Sequence, residues 1–335
     1  MWITLNHGEA FSMETFLVTG CAGFIGSSIA EALLKRGYKV IGIDAFLDNY
    51  PRAIKEYNLM VLRRFRDFIF LEADIMSLDL DTVLRKVDYI IHEAAQPGVR
   101  SSWGNMFDSY VRNNILATQK LLEACIRTRP KKFVFASSSS VYGNAKRYPI
   151  REDDPLNPVS PYGVTKLAAE KLCLAYTANF DIPLVCLRYF TVYGPRQRPD
   201  MAIHRFLRSA LLGQPIVIYG DGTQARDFTY VEDVVNATIE AALSDIEGTV
   251  LNIGSGNPVR LLDLVKHISD ILGQEVEVIY DEEQKGDVKT TFADISRAQK
   301  LLGYSPQTDL EDGLRAELDW IKTLYTHLNK LQHHR

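Results

Sequence analysis

The 335-residue sequence has few cysteines, no excess of one charge and no long apolar run, and each shortage argues against a class of protein. The cysteines are widely spaced and form no C-x-x-C pair, which disfavours a zinc site or a disulfide framework; they are Cys21, Cys125, Cys173 and Cys186. With 38 basic and 42 acidic side chains, the chain offers no electrostatic reason to bind nucleic acid or an anionic membrane. No apolar run approaches the ~20 residues of a membrane-spanning helix. We therefore expect a cytoplasmic protein with no metal site, no nucleic-acid partner and no membrane segment.

After residue 14, short β-rich runs alternate with longer helical patterns, which is typical of a parallel sheet covered by helices on both faces. The predicted strands are 15–19, 39–44, 67–72, 87–92, 132–137 and 185–189, and the predicted helices are 24–36, 53–66, 81–86, 106–127 and 161–179. From Gly194 onward proline, glycine and arginine accumulate and the strands become short, before a last helix predicted over 310–328. This order predicts an α/β fold, a Rossmann-like doubly wound parallel sheet with a smaller C-terminal α/β lobe.

The same patterns predict the domain organisation, and a length of 335 residues favours about two domains. Residues 1–14 are expected to be a disordered leader and 329–335 a tail. Between them we predict a dinucleotide-binding domain over 15–193 and, mainly over 194–328, a substrate lobe.

A glycine-rich turn joins the first strand to its helix, and it has the spacing of a dinucleotide-binding motif. Glycines there let the backbone approach a pyrophosphate, which the following helix N-terminus attracts. The second strand ends in Asp44, 18 residues after Gly26; an acidic side chain there binds ribose hydroxyls and repels a 2′-phosphate, which favours NAD over NADP. Asp74 and Ile75, after the third strand, are predicted to contact the adenine. The predicted cofactor contacts within the turn are Gly20, Gly23, Phe24, Ile25 and Gly26.

Two Tyr-x-x-x-Lys pairs are candidates for acid–base chemistry on an alcohol: Tyr142 with Lys146, and Tyr162 with Lys166. A lysine one helical turn after a tyrosine supplies the positive field that lowers the pKa of the phenol. Gly143 and Asn144 follow Tyr142 and predict a turn, whereas Tyr162 begins a strong helical pattern. We therefore predict Tyr162 and Lys166 as the catalytic pair, the alternative being an ordinary helix surface.

A run of four serines, Ser137–Ser140, ends the fifth predicted strand. Ligands in doubly wound folds bind outside the carboxyl ends of parallel strands, so a hydroxyl here could contact the reacting oxygen. A polar turn without chemistry is the alternative.

Together these motifs make the chain resemble an extended short-chain dehydrogenase/reductase of the nucleotide-sugar epimerase/dehydratase family, from about Thr15 to Trp320. The motifs that carry the resemblance are GCAGFIG, HEAAQ, NNILAT, FASSSSVYG, SPYGVTK, LRYFTVYGPRQRPD, GDGTQARDF and KGDV…FADISRA. The resemblance implies tightly bound, recycled NAD, a UDP-sugar substrate and a homodimer. It also implies roles for individual residues: Ser138 as proton relay, Tyr162 as base, Lys166 as its partner, Ala94, Ala95 and Asn114 as cofactor contacts, and Arg226 and Asp287 as substrate contacts.

Within that family, dehydratases and UDP-glucuronate decarboxylases resemble each other in carrying a glutamate where this chain has Ser139 and Ser140. A hydroxyl has no basicity near pH 7, so epimerisation is favoured over elimination. PGVRSSWG and TVYGPRQRPDMAIHR look most like UDP-glucuronate 4-epimerases. Thr191, Arg198 and the serines would then hold the sugar carboxylate, and Arg100 is a further candidate contact with phosphate or carboxylate.

The expected reaction is NAD-dependent 4-epimerisation of UDP-glucuronate to UDP-galacturonate through a transient 4-keto sugar. The alternatives are a UDP-glucose or UDP-N-acetylglucosamine 4-epimerase, a UDP-glucuronate decarboxylase, and a non-catalytic NAD-sensing protein. One position departs from the family pattern: Gln284 stands where many relatives carry a second arginine for the diphosphate. We expect Lys285 or another basic residue to replace that charge.

Overall fold

The structure is a computed structural model that describes residues 13–333. Its strands are β1 Thr15–Thr19, β2 Lys39–Asp44, β3 Phe68–Glu72, β4 Tyr89–His92, β5 Lys132–Ser138, β6 Leu184–Tyr189, β7 Thr191–Tyr193, β8 Ile216–Tyr219, β9 Ala225–Tyr230, β10 Thr249–Ile253, β11 Pro258–Arg260 and β12 Val278–Asp281. Its α-helices are α1 Phe24–Lys35, α2 Arg52–Leu62, α3 Leu80–Leu84, α4 Phe107–Tyr110, α5 Ala117–Thr128, α6 Pro161–Phe180, α7 Ala202–Leu211, α8 Val231–Leu243, α9 Leu261–Leu272, α10 Ser296–Leu302 and α11 Leu310–His333.

Seven parallel strands form the central sheet in the order β10-β6-β5-β4-β1-β2-β3. The chain runs outward from β1 to β3 on one side and from β4 to β6 on the other. A crevice therefore opens at the carboxyl ends of β1 and β4, where ligands of doubly wound folds bind. The fold-class prediction is confirmed.

Two apolar clusters lie on opposite faces of this sheet. Alternate residues of β1 point to opposite faces, so Phe16 and Val18 enter one cluster and Leu17 enters the other. The first face is covered by α1, α2 and α8, and the second by α3, α5 and α6. The helix that carries Tyr162 is thereby packed directly against β5 and β6.

Two small sheets, β11-β9-β7 and β12-β8, are built from strands that come after β6 in the chain. Part of the range 194–328, for which mainly a substrate lobe was predicted, nevertheless belongs to the large sheet layer. β10 pairs in parallel with β6, and α8 packs on β4, β5 and β6. The chain leaves the large sheet after β6 and returns to it, which no local sequence pattern indicates.

Several predicted boundaries differ from those of the structure. The helix predicted over 106–127 is divided by a π-helical segment, Val111–Leu116, between α4 and α5. The last helix continues past 328 to His333. The leader predicted over 1–14 lies outside the described residues except for Met13 and Glu14, and so do the last two residues of the predicted tail. Over the part of the chain that is described, no helix combines the length and apolar character needed to cross a membrane.

Candidate active site

The glycine turn predicted to bind a pyrophosphate lies between β1 and α1, at the crevice. Gly20 has a φ of +69°, and a Cβ on it would lie 2.9 Å from the backbone nitrogen of Ala94. A Cβ on Gly26 would overlap the carbonyl oxygen of Gly20. Gly23 is the N-cap residue of α1 and has no side chain with which to bond the first N–H groups of the helix. These three glycines line one pocket, here named the glycine pocket, toward which the positive end of α1 is directed.

Asp44 ends β2 on the wall of the glycine pocket. One carboxylate oxygen accepts from the backbone N–H of Ala22 at 3.0 Å, and the other accepts from that of Phe46 at 2.8 Å. Burial raises the pKa of Asp44, and these two donors oppose that rise. Each oxygen keeps a lone pair beyond these bonds, so the carboxylate is held in place and still able to accept from a ribose hydroxyl.

Most of the other predicted cofactor contacts line the same pocket: Phe24, Ile25, Asp74, Ile75, Ala94 and Ala95. Asn114 is placed differently. It is buried within the π-helical segment, where its side chain accepts from the N–H of Gln96 at 2.7 Å and donates to Thr165 at 2.9 Å. The adjacent Asn113 lines the pocket. The Asn114 side chain thus links the loop after β4 to α6 through these two hydrogen bonds. The irregular π-helical geometry places the Asn114 side chain between the two segments.

Tyr162 and Lys166 lie at the start of α6, and both line the glycine pocket. Ser160 caps this helix by accepting from the N–H of Gly163 at 3.1 Å, and Pro161 occupies its first turn. A Cβ on Gly163 would lie 2.6 Å from the carbonyl oxygen of Ser140, so only glycine lets the helix approach the serine turn this closely.

Burial and nearby charges act in opposite directions on the pair. Burial raises the pKa of Tyr162, and the Ser138 hydroxyl and the Arg198 guanidinium lower it. Burial lowers the pKa of Lys166, and the carboxyl of Glu93 raises it. The Lys166 ammonium also lies 4.7 Å from the centre of the Phe135 ring. The arrangement suits a phenol that exchanges a proton with a ligand in the pocket.

The serines at the end of β5 have different environments. Ser137 donates to Glu170 at 2.7 Å and is buried, whereas Ser138, Ser139 and Ser140 are partly exposed. The Ser138 hydroxyl accepts from the N–H of Ser140 at 3.2 Å and holds the short 3₁₀ turn that follows the strand. At the carboxyl end of β5 the Ser138 hydroxyl is also close enough to Tyr162 to lower the pKa of that phenol.

The other tyrosine–lysine pair has no such setting. Tyr142 is buried, and its hydroxyl donates to Asn252 at 2.6 Å and accepts from Arg188 at 2.7 Å. Burial raises its pKa to about 12. Gly143 has a φ of +62°, so the chain turns immediately after Tyr142 and the helical spacing to Lys146 is lost. Tyr142 is a buried structural side chain.

Arg226 and Asp287 line a second pocket, here named the arginine pocket, together with Tyr219, Gln284 and Lys289. Arg100 extends across from the loop after β4: its guanidinium donates to Asp287 at 2.7 Å and lies 4.3 Å from the centre of the Tyr219 ring. Arg100 lowers the pKa of Arg226 in addition to the larger effect of burial, so the two cations are close. Arg100 and Lys289 are thus the basic side chains that the structure places beside Arg226 and Gln284, and the replacement of the missing charge stays a prediction.

Of the residues predicted to hold the sugar carboxylate, Arg198 lines the glycine pocket, whereas Thr191 lines neither of the two pockets. Arg198 lines the glycine pocket near Tyr162, and its guanidinium forms a two-pronged ion pair with Asp200 at 3.0 and 2.8 Å. Thr191 begins β7, two residues after the end of β6, and is partly exposed. The loop after β7 thereby brings a guanidinium toward the catalytic pair.

The sequence analysis missed several residues of the glycine pocket: Tyr50, Lys55, Glu93 and Tyr189. Glu93 directly follows β4 and Tyr189 ends β6, so the rule that ligands bind at the carboxyl ends of strands could have indicated them. Tyr50 and Lys55 come from the loop after β2 and the helix that follows it, where no motif marks them. Among residues 13–333 there is no group of three or more His, Cys, Asp or Glu side chains that could hold a metal ion.

Comparison with known proteins identifies the family to which a chain with this site belongs. The model of the NAD dependent epimerase/dehydratase family matches residues 16–254. The chain belongs to this family. A crystal structure of the UDP-glucuronic acid 4-epimerase from Bacillus cereus, in complex with UDP-glucuronic acid and NAD, is similar at 48% identity and a TM-score of 0.90, covering 93% of this chain and 100% of that one.

Two curated relatives in this NAD-dependent epimerase/dehydratase family are also similar over nearly their whole length. A UDP-glucuronate 4-epimerase from Thermodesulfobacterium geofontis is 40% identical over 92% of this chain and 97% of its own. An uncharacterized UDP-glucose epimerase, YtcB, from Bacillus subtilis is 48% identical over 92% of this chain and 98% of its own. NAD is the cofactor of the family, and the glycines that a Cβ would obstruct, the free end of α1 and Asp44 fit it.

Proposed function

We propose that this protein is a UDP-glucuronate 4-epimerase that interconverts UDP-glucuronate and UDP-galacturonate with tightly bound, recycled NAD. The observation that carries the proposal is the shared wall of the glycine pocket, where the catalytic pair lies with the dinucleotide cradle and with Arg198. The arginine pocket supplies cations for a diphosphate. The similar protein from Bacillus cereus, described as bound to UDP-glucuronic acid and NAD, supports the substrate.

When bound, NAD supplies reversible hydride transfer at carbon 4 of the sugar. Tyr162 takes the proton of the carbon-4 hydroxyl and returns one to the 4-keto sugar, with Ser138 orienting the reacting oxygen. The Lys166 ammonium stabilises the phenolate by its positive charge. Inversion at carbon 4 requires that the keto sugar accept hydride on either face. The sugar ring must therefore turn within the site while the bound cofactor stays fixed.

The serine turn accounts for the choice between epimerisation and elimination. Loss of water next to the keto group needs a base and an acid of carboxyl strength, and Ser139 and Ser140 offer hydroxyl groups that do not ionise near pH 7. They are suited instead to donate hydrogen bonds to a carboxylate. Together with Thr191 and Arg198 they would hold the carbon-5 carboxylate away from alignment with the carbonyl, which suppresses loss of carbon dioxide.

The function is tested by incubating the purified protein, with its own nucleotide, with UDP-glucuronate and separating the products by anion-exchange chromatography. UDP-galacturonate with little UDP-pentose is the expected result. Conversion of UDP-glucose with inert UDP-glucuronate would replace the proposal by a neutral-sugar epimerase. A UDP-pentose as the main product would make the protein a decarboxylase.

Replacing Arg198 by alanine is expected to raise KM for UDP-glucuronate by about 10- to 100-fold, because a charge-assisted hydrogen bond contributes about 1.5–3 kcal/mol. Any residual conversion of UDP-glucose should change much less, since a hydroxymethyl group does not need a guanidinium. Arg198→Lys, which keeps the charge and loses the two-pronged geometry, should lie between the two. Equal losses for both sugars, measured by initial rates, would assign Arg198 to another role.

The finer features of the protein also remain proposals. A homodimer is supported by exposed apolar side chains on α4, on the π-helical segment, on α6 and on the loops before α4 and α6: Trp103, Phe107, Leu116, Val159, Val164 and Phe180. The mass of the protein in solution, measured by light scattering, tests the homodimer.

The four buried free thiols are consistent with a location in the cytoplasm. The division into a cofactor domain over 15–193 and a mainly substrate-binding lobe over 194–328 is supported by the arginine pocket, whose lining residues other than Asn144 all lie between 219 and 289.

A further inference from the structure

An acidic side chain in the residue directly after β4 has no part in the mechanism above. Glu93 lines the glycine pocket together with Lys166 and Tyr189 and is only partly exposed. Its carboxyl oxygen lies 2.9 Å from the hydroxyl of Tyr189, which in turn lies 2.8 Å from the hydroxyl of Thr238. The Thr238 hydroxyl also lies 2.7 Å from the carbonyl oxygen of Val234, one turn earlier in α8.

These contacts form a chain, here named the Glu93 chain: Glu93, Tyr189, Thr238 and the Val234 carbonyl. Each hydroxyl has one proton to donate. With Glu93 ionised, Thr238 donates to Tyr189 and Tyr189 donates to Glu93. With Glu93 protonated, Glu93 donates to Tyr189, Tyr189 to Thr238, and Thr238 to the carbonyl. Both directions satisfy the side chains, so Glu93 gains or loses a proton without leaving a hydroxyl unpaired.

Glu93 faces the catalytic pair across the glycine pocket, whose wall it shares with Tyr162 and Lys166. Burial raises the pKa of Glu93, and the hydroxyl of Tyr189 and the ammonium of Lys166 lower it. In return the carboxylate raises the pKa of Lys166 against the larger effect of burial, and it is one of the smaller influences that raise the pKa of Tyr162. The other titratable or charged groups that face the pair are His92, Tyr110, Glu170, Cys173, Cys186 and Arg198. His92 stays neutral above acidic pH, because burial lowers its pKa to about 3.

We propose that Glu93 is a positioning residue that acts through Lys166: its carboxylate balances the buried ammonium, and the reversible Glu93 chain sets the pH range over which the Tyr162–Lys166 pair works. This inference rests on the proposed epimerase function for its kinetic readout only. A neutral side chain at position 93 removes the balancing charge. The pKa of Lys166 and that of Tyr162 then both fall, and the whole pH–rate profile moves to lower pH.

The experiment compares the NAD-loaded wild-type protein with Glu93→Gln and Thr238→Val. In Glu93→Gln, both limbs of the profile of kcat/KM for UDP-glucuronate should shift by about one unit to lower pH. In Thr238→Val, Tyr189 has only Glu93 left as acceptor. This favours the carboxylate, so the profile should move to higher pH. Both substitutions preserve size, and Thr238 lies outside the glycine pocket.

A second readout does not depend on turnover. Ultraviolet titration of tyrosinate, taken as the difference between each protein and the same protein carrying Tyr162→Phe, reports the ionisation of Tyr162 directly and should shift in the same directions. Coinciding profiles and titrations for wild type and Glu93→Gln would overturn the inference, and so would an unchanged or downward-shifted profile in Thr238→Val. Should Glu93→Gln fail to fold, Thr238→Val still decides it. If no sugar nucleotide is converted while the tyrosinate titration shifts, the proposed function fails and the inference about Glu93 stands.

Discussion

Replacing Tyr162 by phenylalanine is expected to lower kcat by about 10²- to 10⁴-fold, the usual contribution of a positioned acid–base group. The substitution removes only the phenol oxygen. The ring keeps its edge-to-face contact with Tyr110, at 6.3 Å between centroids, and its place in the first turn of α6. Nucleotide content and the unfolding midpoint should therefore stay close to those of the wild-type protein.

The chain offers a matched control for this substitution. Tyr142→Phe also removes one phenol oxygen at a Tyr-x-x-x-Lys sequence, but this oxygen is bonded to Asn252 and Arg188 in the interior. It should lower the free energy of unfolding by about 1–3 kcal/mol, since it leaves buried polar groups without a partner, while kcat of the folded fraction is retained. Steady-state rates and urea unfolding distinguish the two effects. Retained turnover in Tyr162→Phe would remove the basis of the proposed mechanism.

Replacing Arg188 by methionine is expected to lower the free energy of unfolding by about 3–5 kcal/mol. Arg188 is 2% exposed, and its guanidinium pairs with the fully buried Glu170 at 2.6 and 3.0 Å. Without it the Glu170 carboxyl keeps only the hydroxyl of Ser137, at 2.7 Å. An uncompensated charge then remains between β5, β6 and α6, which form the frame of the catalytic pair.

Arg127→Met is the corresponding control at the surface. Arg127 also pairs with a carboxylate, that of Asp81, through two nitrogens, but both side chains are exposed. Water screens such a pair, so the urea midpoint should not change measurably. The double variant Arg188→Met, Glu170→Leu should recover most of the lost stability, because it removes both charges. Equal small losses in Arg188→Met and Arg127→Met would show that the buried pair is unimportant.

The parts of the site that could be predicted from sequence are those set by short-range geometry. The turn at residues 20–26 is specified by glycines whose positions leave no room for a Cβ. Tyr162 and Lys166 line the same pocket because they lie one helical turn apart. The turn after Tyr142 is likewise local, since Gly143 follows it directly with a positive φ. Such features need only a few consecutive residues, and patterns within a short stretch express them.

Other predicted roles depended on packing between distant segments. Asn114 belongs to a recognisable motif, yet the π-helical segment turns its side chain toward Gln96 and Thr165. Arg100 reaches Asp287 across 187 residues of chain. No periodicity in either segment contains this contact, because it exists only where the loop after β4 meets the C-terminal lobe.

By itself the sequence determined the alternation of strands and helices, the nucleotide turn and the helical spacing of the catalytic pair, because steric limits and side-chain periodicity act between near neighbours. Only the tertiary structure decided that β10 joins the large sheet and that Glu93, Tyr189 and Thr238 form one hydrogen-bonded chain. Glu93 and Tyr189 are 96 residues apart, and the packing of β4, β6 and α8 around one core brings their polar atoms within hydrogen-bonding distance.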